Sequence, residues 1–249
     1  MQRSRKMAKS QMDFINEAED TLEGFEDINA QTMAIPFLKL AQDLTPQTKK
    51  TKDSYIEGLD PGMFFNSATN ENFGDRLQFI ILKFERVYIE WQPNRGGFVG
   101  YHSPANAERL AVEKEFGKWK TEEGNDLQEY YTYYGLIVGR EQEGPVILSL
   151  TSSAIKTAKQ LNRLMATHIM DNGQRARPYY LVWDVEAEHK EKNENDWFVP
   201  KFKFAGYINE MQYEIVAEDR KALPDKPVDY AQLEDRTAQT ATKPTEEDF

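Results

Sequence analysis

A mainly β fold with helices is what this 249-residue sequence predicts, on three observations. From Leu77 to Tyr207 the chain holds about five runs dense in β-branched and aromatic residues, each closed by turn formers. One stretch, residues 151–170, repeats its apolar positions at helical spacing. That helix follows the third or fourth strand, the order of a small, highly curved, five-stranded barrel of the oligonucleotide-binding (OB) type whose helix plugs one end. A β-sandwich or another α+β arrangement satisfies the same periodicity.

Residues 1–34 read as an N-terminal arm: Arg3, Arg5, Lys6 and Lys9, then an acidic stretch with Phe14, Ile15, Ala18 and Leu22 at helical spacing, ended by Gly24. "AIPFLKLAQ" and "YIEGLDPGMFF" are apolar pieces broken by Pro and Gly, with the basic loop "LTPQTKKTKD" between them. "LQFIILKFERVYIEWQ" is a long strand and "GFVGYH" a short one, after which "NAERLAVEKEFGKW" predicts a helix or helical loop. "YYTYYGLIVG" and "PVILSLTS" are strands joined by the hairpin-length turn "REQEG". In "TSSAIKTAKQLNRLMATHIM", Ser152 or Ser153 is placed to cap a helix with an Ile155, Ala158, Leu161, Leu164, Met165 stripe. "RPYYLVWDVEAE" and "WFVPKFKFAGYI" are the last strands. The core is thus expected over 35–213, and the polar, Pro-containing residues 214–249 are expected to form a disordered acidic tail.

The absence of cysteine excludes disulfides, thiolate metal sites and a cysteine nucleophile. No apolar run has the length of a membrane span, and no apolar segment follows the basic N-terminus as a secretion signal requires. A soluble cytoplasmic protein is expected. The formal net charge of −11 is segregated. Residues 11–30 contain seven acids and no Lys or Arg, and residues 214–249 contain ten acids and five bases. The middle of the chain is near neutral, so overall acidity does not exclude a nucleic-acid partner.

Catalytic motifs are missing. His102, His168 and His189 lie in unrelated contexts, "GGFVG" lacks the Lys-Ser/Thr of a phosphate loop, and no Gly-x-Ser-x-Gly occurs. Asp184 and Glu186 share one face of a strand, a pair a metal-dependent nuclease could use, but two carboxylates alone are a weak signal and read first as a solvated strand end. No catalytic residue, metal or cofactor is expected.

Two patterns point to nucleic acid. Residues 151–177 carry Lys156, Lys159, Arg163, Arg175 and Arg177 against Asp171 alone, and the first three form one helical stripe suited to phosphates. On the long strand Phe84, Arg86 and Tyr88 share a side; on the last strand Trp197, Lys201 and Lys203 share a side, opposite Phe198, Phe202 and Phe204. Rings alternating with cations suit unpaired bases, whose stacking contributes about 1–3 kcal/mol each. Tyr130, Tyr131, Tyr133, Tyr134, Tyr179, Tyr180 and Trp183 add to the set. An acidic protein-interaction or DNA-mimic surface is the competing reading.

A β-rich aromatic and basic body followed by a tail ending Glu246, Glu247, Asp248, Phe249 resembles the single-stranded DNA-binding proteins of bacteria and tailed phages. "IPFLKLAQ", "LDPGMFFNSAT", "VYIEWQPNRGGFVGYH" and "PVILSLTSSAIKTAKQLNRLM" are similar in style to phage replication-region proteins. The resemblance implies an OB fold that binds single-stranded DNA in replication, recombination and repair in the infected host's cytoplasm. It also implies a tail that docks onto polymerase, helicase or primase. This tail departs from the family in holding Arg236 and Lys243.

Overall fold

The computed structural model describes residues 34–93, 96–115, 118–193, 195–223 and 230. Strands β1 (Leu38–Leu40), β2 (Phe64–Asn66) and β3 (Asn72–Gly74) form a small antiparallel sheet in that order. The long β4 (Arg76–Trp91) is followed by β5 (Phe98–His102), helix α1 (Pro104–Leu110), β6 (Glu113–Glu115), β7 (Lys118–Lys120) and β8 (Asp126–Ile137). Then come β9 (Val146–Thr151), α2 (Ile155–Thr167), β10 (Leu181–Lys192), β11 (Asn195–Tyr207) and α3 (Glu210–Ala222). These strands make one antiparallel sheet in the order β11-β10-β4-β8-β7-β6, with β5 alongside β4 and β9 alongside β8.

The β4–β8 pair is the spine. Its register slips between Ile81 and Lys83, so Leu82 is a bulge and two successive residues take the same side. Leu77, Phe79 and Ile81 before the bulge therefore share a face with Phe84 and Arg86 after it. Opposite the bulge, Gly135 admits no side chain: a Cβ there would collide with the Ile80 carbonyl and the Phe79 ring.

Two layers cover the sheet. On one face Ala158, Leu161 and Met165 of α2 pack on Phe79, Tyr133, Leu148 and Trp183, with Leu38 and Phe64 of the small sheet completing the cluster. On the other face Val216 of α3 packs on Ile80, Leu82, Leu136 and Val182, while Ile35, Phe37 and Tyr230 cover Val87, Ile89, Trp91 and Tyr134. Each fully buried Leu, Ile or Phe contributes about 1.5–3 kcal/mol relative to exposure.

The mainly β class and the amphipathic helix are present, but among the described residues neither sheet closes into the expected five-stranded barrel. The edges that would have to meet, β9 and β11, are separated by β1, and among the described residues the one backbone bridge to β9 there is Phe37–Ile147, just before β1 begins. The segment read as "NAERLAVEKEFGKW" is split into a short helix, with Ser103 as its N-cap, and the β6–β7 ribbon. Helix α2 starts without a serine cap: residues 152–154 form a 3-10 turn with Ser152 at φ 51°, and the Ser152 hydroxyl accepts from Gln128 instead. Leu164, placed in the apolar stripe, is 39% exposed.

The expected core boundary at 213 falls inside α3. That helix is started by a capping box in which Asn209 and Gln212 bond each other's backbone N–H, and it is held by buried Gln212 and Val216. The N-terminal arm as far as residue 33 and residues 231–249, including the Glu246, Glu247, Asp248, Phe249 tail, lie outside the described residues.

Candidate nucleic-acid interface

Phe84, Arg86 and Tyr88 stand together on the α2-side face of the sheet. Phe84 is 37% exposed and leans on the Tyr131 and Tyr133 rings, at 5.6 and 5.1 Å between centroids. Tyr88 is buried and stacks on Trp119 at 4.9 Å. Arg86 donates to Glu129 at 2.6 Å and to the Tyr88 hydroxyl at 3.0 Å. Burial opposes its charge, but those two bonds outweigh it and raise its pKa. Arg86 is therefore a charged group already neutralised by Glu129.

Trp197, Lys201 and Lys203 do not join this group. Lys203 pairs across β10–β11 with Asp184, Lys201 with Glu186, and Trp197 with Lys190. Asp184 and Glu186 in turn lie opposite Gln78 and Arg76, which alternate with the buried Leu77 and Phe79. The two lysines thus sit on the sheet face away from Arg86, each beside a carboxylate. Asp184 accepts from the Gln78 amide at 2.9 Å, and Glu186 is paired with Arg76. A bond from Lys190 and the charge of Lys201 hold the Glu188 carboxyl below its usual range. Among the described residues no group of three His, Asp or Glu side chains could hold a metal.

The exposed α2 residues Lys156, Lys159 and Arg163 lead instead to a ribbon of rings. At the helix C-terminus the His168 ring lies 4.3 Å from Phe204, and its Nε2 is 2.9 Å from the Tyr207 hydroxyl. Phe204 and Tyr207 are 5.2 Å apart and are 36% and 45% exposed. The ribbon continues because Tyr207 pairs with Leu181 and the Ile208 N–H donates to the Tyr180 carbonyl. Tyr180 contacts Tyr179 at 4.7 Å and Tyr213, 47% exposed, at 5.7 Å.

Four arginines border this ribbon. Arg163 is on α2, Arg175 is bridged to Ile169, Arg177 donates to the Tyr179 hydroxyl at 2.8 Å, and the Arg220 guanidinium of α3 lies 3.6 Å from the Tyr179 ring centroid. Burial raises the Tyr179 phenol pKa, but the Arg177 bond and the two positive charges outweigh it and lower the value. Elsewhere Arg76, Arg86 and Arg140 are ion-paired with glutamates; the four ribbon arginines have no carboxylate partner among the described residues. Exposed rings with uncompensated guanidinium groups can stack planar ligands and hold their anionic links.

The sequence pattern located the α2 stripe, Arg175, Arg177, Tyr179 and Tyr180, but not His168, Phe204, Tyr207 or Tyr213 as partners. Their meeting depends on a second bulge: Val182 faces Gly206 while Trp183 faces Phe204, leaving Ala205 extra and turning the end of β11 toward α2. Gly206, at φ 145°, supplies the backbone conformation this needs, and a glycine near a strand end is the available signal.

No helix of the described residues is long and apolar enough to cross a membrane. No curated protein and no solved structure matches the chain. One family model does match, described as Pam3 phage gp34-like protein, over residues 5–226. The chain, phage-like in this respect, belongs to the Pam3 phage gp34-like protein family.

Proposed function

We propose that this chain is a non-enzymatic phage protein that binds single-stranded DNA with little sequence preference during replication, recombination and repair in the host cytoplasm. One observation carries the reading: two adjoining sets of partly exposed rings, His168, Phe204 and Tyr207 at the end of α2 and Tyr179, Tyr180 and Tyr213 beside α3, near four arginines that have no carboxylate partner among the described residues, with Lys156 and Lys159 exposed on the same α2. Bases stack on the rings while phosphates meet the cations, so binding is tolerant of sequence and weakened by salt. The half-exposed Phe84 ring adds a smaller stacking surface on the α2 face of the sheet, the side of Phe204 and Tyr207. The acidic tail ending at Phe249 recruits replication partners such as polymerase or helicase-primase.

Titrating fluorescein-labelled oligo(dT) into the protein at about 50 and about 200 mM salt tests the reading. Saturable binding that weakens with salt, and that weakens further in Tyr207→Ala, supports it. No binding at the lower salt, or binding unchanged by Tyr207→Ala and Phe204→Ala together, overturns it.

A further inference from the structure

Two guanidinium groups meet on one phenol beside α3. Arg177 precedes the 3-10 turn Pro178–Tyr180; the following proline restricts its backbone to extended values, φ −77° and ψ 134°, and its carbonyl accepts the Tyr180 N–H at 2.9 Å. From there its side chain donates to the Tyr179 hydroxyl at 2.8 Å. Arg220 arrives from the last turn of α3. Its guanidinium lies 3.6 Å from the centroid of the same ring, and its Nε donates to the Leu82 carbonyl at 3.3 Å. Both charged heads are thus oriented by uncharged groups, and both residues are exposed. The acids near them in sequence are engaged or turned elsewhere. Glu85, three residues along β4 from Leu82, holds Lys83 at 2.7 Å and accepts from the Tyr134 hydroxyl at 2.9 Å. On α3, Arg220 shares a helical face with Tyr213, Val216 and Ala217, whereas Glu214, Glu218 and the inward-turned Asp219 lie off that face.

We propose that Arg177, Tyr179 and Arg220 form a clamp for a phosphate monoester, the terminal phosphate of a DNA strand. The clamp rests on the DNA-binding reading above and gives it an end. Charge favours the monoester: near neutral pH it carries about −1.5 to −2, which matches two guanidinium groups. An internal diester carries a single negative charge and would leave one group uncompensated. Each guanidinium is a planar fork suited to phosphate oxygens, and neither has to be reoriented, since the turn, the Tyr179 ring and the Leu82 carbonyl already hold them. Tyr180 and Tyr213, 5.7 Å apart, stand beside the clamp where the terminal base would stack. Beyond Arg220, α3 exposes Glu210, Glu214 and Glu218, which repel a strand that continues past it.

The test is calorimetric titration of the full chain with oligo(dT) of about eight nucleotides carrying a 5′-phosphate, a 3′-phosphate or neither. The two phosphorylated arms tell which end is held. One of them should bind at least about tenfold more tightly than the unphosphorylated strand, the size of an added charge-assisted contact. Arg177→Gln and Arg220→Gln should each bring the phosphorylated strand down toward the affinity of the unphosphorylated one, while Lys203→Gln, on the opposite face, keeps the difference. Equal binding of all three strands by the wild-type chain overturns the clamp and leaves the DNA reading standing, with these arginines as diester contacts. An advantage that survives Arg177→Gln and Arg220→Gln together also overturns it. If no strand binds, the DNA reading fails, and thymidine 5′- and 3′-monophosphate, compared with thymidine by NMR chemical shift, decide the clamp alone. Saturable shifts with either monophosphate that are lost in Arg220→Gln uphold it; no difference from thymidine overturns it.

Discussion

The side-chain amide of Gln42 completes the hydrogen bonding of Phe198: its Oε1 accepts the Phe198 N–H at 2.8 Å and its Nε2 donates to the Phe198 carbonyl at 3.0 Å. Those residues are 156 positions apart, and the pair pins the segment after β1 to the outer edge of β11. A two-bond amide contact of this kind does the work of one step of strand pairing.

Replacing Gln42 with alanine leaves both Phe198 backbone groups without that partner. Leaving such groups unsatisfied costs about 1–3 kcal/mol, so Gln42→Ala should lower the urea midpoint by a corresponding amount with an unchanged slope. An unchanged midpoint would show that solvent replaces the amide without loss.

Gly135→Ala tests the bulge. The added methyl meets the Ile80 carbonyl and the Phe79 ring, neither of which can withdraw from the core, so a loss of about 3 kcal/mol or more is expected. Thermal melting monitored by tryptophan fluorescence would read it; Gly124→Ala, where a Cβ meets nothing within 4 Å but φ is +81°, should lose much less.

Asp219 of α3 has a half-buried carboxyl whose Oδ2 finds no partner among the described residues, and burial followed by the charge of Glu218 raises its pKa above the ordinary value. A raised folded-state pKa favours the native state below the unfolded pKa, and that contribution is lost as pH rises through the folded value. Asp219→Asn should therefore stabilise the protein at neutral pH, by about 1 kcal/mol, and leave it unchanged in acid below the ordinary aspartate pKa. Denaturant melts across the acidic to neutral range check the sign.

For DNA binding, the ribbon and the hairpin lysines separate cleanly. Tyr207→Ala should weaken oligo(dT) by about 1–3 kcal/mol if one base stacks there. Arg163→Gln should reduce the salt slope by about 1, the loss of one phosphate contact. Lys203→Gln should change little, since Lys203 faces Asp184 on the other side of the sheet. A large effect of Lys203→Gln with none from Arg163→Gln would move the strand to the opposite face.

Deleting Glu246, Glu247, Asp248 and Phe249 should spare or tighten oligo(dT) binding while abolishing capture of replication partners in a pull-down with polymerase or helicase. Weaker DNA binding on deletion would count against a recruiting tail.

Much of the framework was legible in one dimension. Alternation along β4 and β11 assigned their faces locally, and the 3.6-residue stripe of α2 located its buried side, because both periods are properties of the backbone itself. Charge segregation was equally plain. Helix α3 was not, since "EMQYEIVAEDRKA" holds few apolar residues and its helical start rests on the Asn209–Gln212 capping box. What tertiary structure alone decided is which rings and cations remain available. Arg76 is neutralised by Glu186, 110 residues away, and Arg86 by Glu129, 43 away, whereas among the described residues no carboxylate is brought to Arg163, Arg175, Arg177 or Arg220. The bulges at Leu82 and Ala205 set which faces meet, and β1 separates β9 from β11 where a closed barrel would have a seam. Register and long-range pairing carry that information, and a local period contains neither.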